Sequence, residues 1–205
     1  MFKLYYSPGA CSLAAHTVLE EIGAPYEAQV VNLRAGEHKE PAYLAINPKG
    51  AVPALATEHG VLTENVAVLT YLAAKHPEAG LAPINDVYAA AALTSFCGFL
   101  GSSVHPAIGK LMFSRPPLEG EARAQQRDLT LSKLRLLEDS LFVGPWALGP
   151  RFSVADPYLM VFERWARQGD LLDAASFPRL NDHLDRVQQR PATQRALAAE
   201  GLSVL

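Results

Sequence analysis

Every run that reads as a β-strand lies before residue 64, and everything from Val87 onward has helical periodicity only. A chain divided in this way folds as a small α/β layer followed by an all-helical body. Phe2–Tyr6, a short run with three aromatics, reads as a strand, Pro8-Gly9 as a turn, and 12–22 as an amphipathic helix ending at Gly23. Tyr26–Val31 reads as a second strand, and 40–46 as a short helical segment. Val52–Ala56 is a strand led by Pro53. It is followed by the turn Glu58-His59-Gly60 and the run Val61–Thr63, which together predict an antiparallel hairpin. A helix is predicted at about 65–75.

Past His76-Pro77 the chain changes character. Gly80, Pro83 and Asn85 mark residues 78–86 as a linker between domains at 1–77 and 87–205. Helical stretches fall at 87–112, 121–141, 154–167 and 178–189, separated by breaks such as Pro116-Pro117, Gly144-Pro145 and Phe177-Pro178. Pro106 inside the first of these removes a backbone donor and predicts a kink. Ser153 and Asp156 form a variant of the capping box, read as structural. There is no internal repeat or low-complexity tract.

The net charge of −3 and pI near 6.1 imply no basic face, which argues against nucleic acid as a partner. No apolar run is read as reaching membrane-spanning length, so no membrane role is expected. The start lacks a signal-peptide pattern, and with only two cysteines, far apart, the expected compartment is a reducing cytoplasm. The six histidines show no metal-ligand spacing, so no metal is expected.

Cys11 sits where the carboxyl end of a strand meets the amino end of a helix. Unpaired N–H groups and the positive end of the helix dipole face that spot, surroundings that lower a thiol pKa. An inert, buried thiol is the ordinary alternative. Cys97, among small and apolar residues of the first long helix, reads as core.

Four segments, in this order, resemble the cytosolic glutathione transferase superfamily: Tyr5–Ser12, Asn47–Leu55, Thr63–Val68 and Phe152–Asp156. The cysteine-bearing first segment is most similar to the bacterial beta class. The resemblance covers essentially the whole chain. It implies a thioredoxin-like N-terminal domain followed by an all-helical C-terminal domain, with glutathione as co-substrate. In the family pattern, Ala51, Val52 and Pro53 would form the cis-proline edge that pairs with the cysteinyl part of glutathione. Glu64 and Asn65, opening the next helix, would meet its γ-glutamyl end. Asn65 departs from the small residue usual there, and its side chain is expected to cap the helix.

Cys11 matches the class cysteine at the glutathione sulfur. Ser12 is a candidate hydrogen-bond donor to that sulfur. Tyr6 is another, with a core aromatic as its ordinary reading. His105 matches the class histidine, but the residue after it is Pro106 where the pattern has a lysine. The usual lysine for the glycine carboxylate falls at Gly36, leaving Arg34, His38 and Lys39 as candidates.

The activity this implies is conjugation of the glutathione thiolate to small apolar electrophiles, a detoxification chemistry, by a homodimer whose first long helix faces the partner. Phe99, Leu100, Ile108, Leu111, Met112 and Trp165 are the apolar candidates for the electrophile pocket. Two rivals stand beside it. One is a glutathione-dependent thiol–disulfide reductase or reductive dehalogenase working through Cys11. The other is a non-catalytic binder of apolar ligands.

Overall fold

A computed structural model describes residues 1–205. Strands β1 (Phe2–Tyr6), β2 (Tyr26–Val30), β3 (Ala54–Thr57) and β4 (Gly60–Thr63) form one mixed sheet in the order β2-β1-β3-β4. β1 and β2 run parallel, with Leu4 opposite Ala28. This pairing requires a crossover, supplied by helix α1 (Leu13–Ile22). β3 is antiparallel to both β1 and β4, with Leu55 opposite Leu4 and Leu62. Successive side chains of β1 alternate between faces. Leu4 and Tyr6 join the large core with α1 and with α3 (Asn65–Lys75), while Tyr5 meets Tyr43 of the short α2 (Pro41–Leu44), Val31 and Val52 on the other side.

The helical body consists of α4 (Val87–Phe99), α5 (His105–Phe113), α6 (Gly120–Leu136), α7 (Ala155–Gln168), α8 (Pro178–Gln188) and α9 (Pro191–Ala199). α9 was not anticipated from the sequence. Pro191 occupies its first helical turn, where the missing N–H costs nothing. The large core passes without interruption from the sheet into this body, and α1 packs against both α7 and α9.

Val87–Phe113 is a continuous helical stretch of 27 residues, long and apolar enough in composition to cross a membrane, contrary to the sequence expectation. In the fold, Phe96, Cys97, Leu100, Val104 and Ile108 turn one side of it into the core. Pro106 neither breaks nor sharply ends it. A single wider turn at Leu100–Val104 absorbs the missing donor, with the His105 N–H bonded five residues back to the Leu100 carbonyl.

The Ser153–Asp156 box is the start of a larger buried assembly. The Ser153 N–H (2.6 Å) and hydroxyl (3.1 Å) both donate to Asp156 Oδ2, and the Ala155 N–H donates to Ser153 Oγ (3.3 Å). The other oxygen of Asp156 accepts the Ala147 N–H at 2.7 Å and lies 3.0 Å from His183 Nε2. His183 Nδ1 is 2.8 Å from Glu163, and all three ionisable side chains are fully buried. Burial alone would lower the His183 pKa, but the two flanking carboxylates outweigh it and push the value up to about 9.

Asp156→Ala would leave the buried Ser153 and Ala147 N–H groups and the Nε2 side of His183 without their partner. The expected loss is roughly 3–5 kcal/mol, read as a fall in melting temperature on the order of 10 °C. An unchanged melt would refute the assignment. The His183 shift also sets a pH dependence. A pKa raised in the folded state means that the folded protein holds a proton the unfolded chain releases. That stabilisation is full below the ordinary histidine range and declines as pH rises through about 9. Denaturant titrations from pH 6 to 9.5 should show the decline in the wild type and a flatter profile in His183→Gln.

Candidate active site

The loop between β1 and α1 is held from three directions. Ser12 Oγ accepts the Ser7 N–H (3.1 Å) and donates to the Ser7 carbonyl (3.3 Å), pinching the loop shut. At its apex Gly9 adopts φ +70°, a left-handed conformation that favours glycine. Its N–H donates to Glu200 Oε2 (2.8 Å), and its carbonyl accepts the Trp165 indole N–H (2.8 Å). The other Glu200 oxygen lies 2.8 Å from His16 Nδ1, and His16 Nε2 lies 2.9 Å from the Tyr26 hydroxyl. The helical body and the very end of the chain therefore set the shape of the loop.

This loop delivers Cys11 to a cleft of about 470 Å³ between the sheet layer and the helices. The sheet side is lined by Asn47, Lys49, Ala51, Val52, Pro53 and Thr63 through Val66. The helical side is Gly98, Gly101, Ser102, His105 and Tyr158. The Val52-Pro53 peptide is cis, and Val52 stands just before β3, whose pairing begins at Ala54. The Ala51 carbonyl is fixed by the Tyr43 hydroxyl and the Asn47 amide, each at 2.7 Å. Gly50 makes the preceding turn at φ +59°, where a Cβ would meet the His38 carbonyl at 2.9 Å.

Glu64 takes φ +71°, a rare conformation for a residue with a side chain, immediately before α3. The first-turn N–H groups of α3 have no intrahelical partners, and Glu64, Asn65 and Val66 present that end to the cleft. The Glu64 carboxylate is paired with Lys49 Nζ at 2.8 Å. Asn65 does not cap its own helix. Its Nδ2 donates to the Cys11 carbonyl (3.0 Å), and its buried Oδ1 has no partner.

Among the candidates, Cys11, Ala51, Val52, Pro53, Glu64, Asn65 and His105 converge on the cleft. Ser12 and Tyr6 do not. Ser12 is fully buried and occupied with Ser7. Tyr6 is buried against the His16 ring, with centroids 5.0 Å apart. Arg34, His38 and Lys39 do not line the cleft. The basic residue there is Lys49, which sequence reasoning passed over although it stands inside the quoted Asn47–Leu55 segment. None of the six apolar candidates for the second pocket lines the cleft either. Leu100, Ile108 and Leu111 face the core, and Trp165 is engaged with Gly9. The helix turns its apolar side inward, so its cleft side is glycine and polar groups.

In this structure burial opposes the expected activation of Cys11. The thiol donates to the Val52 carbonyl (3.3 Å), and burial pushes its pKa up to about 12. The Asn65 amide and the N–H groups of Cys11 and Ser12 act in the opposite direction but do not offset the desolvation. His105 packs against Phe162 and Trp165, with centroids 5.4 and 5.2 Å away, and burial lowers its pKa.

Residues 1–74 match the family described as Glutathione S-transferase, N-terminal domain. The chain is 35% identical over 203 residues to glutathione S-transferase GstA of Escherichia coli O157:H7, covering 98% of this chain and 99% of the relative. Among solved structures, a sphingomonad glutathione S-transferase complexed with glutathione superposes with a TM-score of 0.87 at 40% identity, covering 98% of this chain and 100% of that one. A bacterial beta class glutathione S-transferase from Sphingomonas chungbukensis superposes with a TM-score of 0.88 at 39% identity, with the same coverage.

With its thiol so strongly buried, Cys11 should give no thiolate step below about pH 10. The absorbance at 240 nm of the ligand-free wild type, minus that of Cys11→Ser, reads this directly. A step near neutral pH would mean the helix dipole outweighs burial after all.

Proposed function

The chain belongs to the glutathione S-transferase family, and we propose that its cleft holds glutathione as a thiolate and joins it to a small electrophile. The observation that carries this reading is the meeting, beside Cys11, of the cis Val52-Pro53 edge and the amino end of α3. The N–H and C=O of Val52 suit the cysteinyl backbone of an extended tripeptide. The first-turn N–H groups of α3 suit the γ-glutamyl carboxylate, and the Glu64 carboxylate suits the adjacent ammonium. The unpartnered Asn65 Oδ1 is an acceptor for the same ammonium. Lys49, exposed and long enough to swing away from Glu64, is the cation for the glycine carboxylate, taking the place of the lysine absent at Gly36.

Catalysis then consists of holding the sulfur ionised and the electrophile in line with it. Disulfide exchange through Cys11 would need a thiolate at that residue. The high pKa of Cys11 favours conjugation, with glutathione as the nucleophile. The proposed division of labour puts glutathione binding in residues 1–77, a connection at 78–86, and the second substrate and the dimer contacts in residues 87–205. The outer side of α4, where Val87 and Tyr88 are 87% and 85% exposed, is the proposed contact with a second copy. The proposed compartment is the cytoplasm.

Benzyl chloride consumption with glutathione tests the reading. Lys49→Ala should raise KM for glutathione about tenfold, the loss of one charge-assisted hydrogen bond, with kcat nearly unchanged. Cys11→Ala should retain conjugation. Absence of both turnover and calorimetric glutathione binding in the wild type would refute it.

A further inference from the structure

The cleft is lined by one carboxylate, Glu64, and one lysine, Lys49, with no arginine. Their side chains are paired with each other at 2.8 Å, and neither makes any other hydrogen bond or ion pair. The backbones beneath them are fixed. The Lys49 N–H donates to Asn47 Oδ1 (3.1 Å), the Asn47 amide also holds the Ala51 carbonyl, and Glu64 stands at φ +71° immediately before α3. The side chains themselves are 53% and 68% exposed. The pair is therefore made by two flexible ends at the mouth of the cleft. An exposed pair of this kind is weak, so a ligand can displace it.

We propose that the Lys49–Glu64 pair sets the specificity of the cleft by exchange: it gives way to a ligand that brings both a carboxylate for Lys49 and an ammonium for Glu64, the two ends of an extended thiol tripeptide. This inference rests on the glutathione-binding reading above and deepens it, making recognition of one end depend on the other. The geometry requires the exchange. An extended tripeptide is roughly 10 Å long, whereas the two charged groups are 2.8 Å apart. They cannot serve both ends of the ligand while they touch each other. A ligand charged at both ends replaces one internal pair by two new ones and leaves neither side chain alone. A ligand charged at one end draws one side chain away and strands the other, so it forms one pair by breaking another. Asn65 Oδ1, buried and without a partner, is a second acceptor on the ammonium side and adds to the pull on that end. The γ-glutamyl carboxylate takes no part in the exchange, because the first-turn N–H groups of α3 receive it. No proton moves and no covalent bond forms or breaks.

The test is calorimetry on the wild type, Lys49→Ala and Glu64→Gln with three ligands. These are glutathione, its glycyl ethyl ester, which lacks the terminal carboxylate, and glutaryl-cysteinylglycine, which lacks the ammonium. The pair is exposed, so both variants should melt with the wild type. Each should bind glutathione about tenfold more weakly. The altered ligands carry the signature. Lys49→Ala should bind the ester about threefold more tightly than the wild type does, because Glu64 no longer has a partner to leave. Glu64→Gln should bind glutaryl-cysteinylglycine about threefold more tightly, because Lys49 is released. Two independent contacts would give no change with the ligand that lacks the matching end, and a purely structural pair would weaken all three ligands. A missing gain in either variant, with glutathione still bound by the wild type, overturns this inference alone. Wild type that binds no glutathione overturns the transferase reading as well.

Discussion

The site depends on the grip of the helical body on Gly9. Both backbone groups of that residue are taken by side chains remote in sequence, Glu200 and Trp165, and Leu202 packs where a side chain would project. Glu200 is itself buried and bonded to His16 on α1, the helix that follows the loop. A buried carboxylate without partners would be strongly destabilising. Satisfied by a backbone N–H and an imidazole, it instead gives the loop one geometry. Because Trp165 also packs on His105, the wall of the cleft and the loop carrying Cys11 are braced by the same indole.

That bracing also sets how deeply the Cys11 thiol is buried. A helix amino end favours an anion by up to a kcal/mol or two, but it acts on a sulfur sealed under Val52 and Asn65. Desolvation of a charge in such a place is the larger effect. The positive ends that remain exposed, at the start of α3, are left for a ligand's carboxylate. The glycines and polar groups of the helical wall follow from the same packing. The continuous helix from Val87 to Phe113 spends its apolar side on the core, and the wide turn before Pro106 keeps His105 and Ser102 on the cleft side.

The Asp156–His183–Glu163 assembly is a second instance of buried charge made tolerable by complete pairing. It fastens the start of α7 to α8, and α7 carries Tyr158, Phe162 and Trp165. The capping box at its edge was legible because Ser and Asp three apart are a local signal. His183, twenty-seven residues further on, was not, since nothing local distinguishes it from a surface histidine.

The same divide runs through the whole protein. Local periodicity and turn residues determined the strands of the first 63 residues, the helical body, and the placing of Cys11 at a strand–helix junction, because these follow from neighbours in the chain. The four ordered segments also determined the cis-proline edge and the Glu64-Asn65 helix start. Only the tertiary structure decided that Ser12 and Tyr6 turn away, that Lys49 rather than Arg34, His38 or Lys39 meets the cleft, and that its far wall is polar. It alone decided how deeply the Cys11 sulfur is buried. Which side of a helix faces the core, and how much water reaches a sulfur, are set by elements packed from distant parts of the chain, and no local pattern records them.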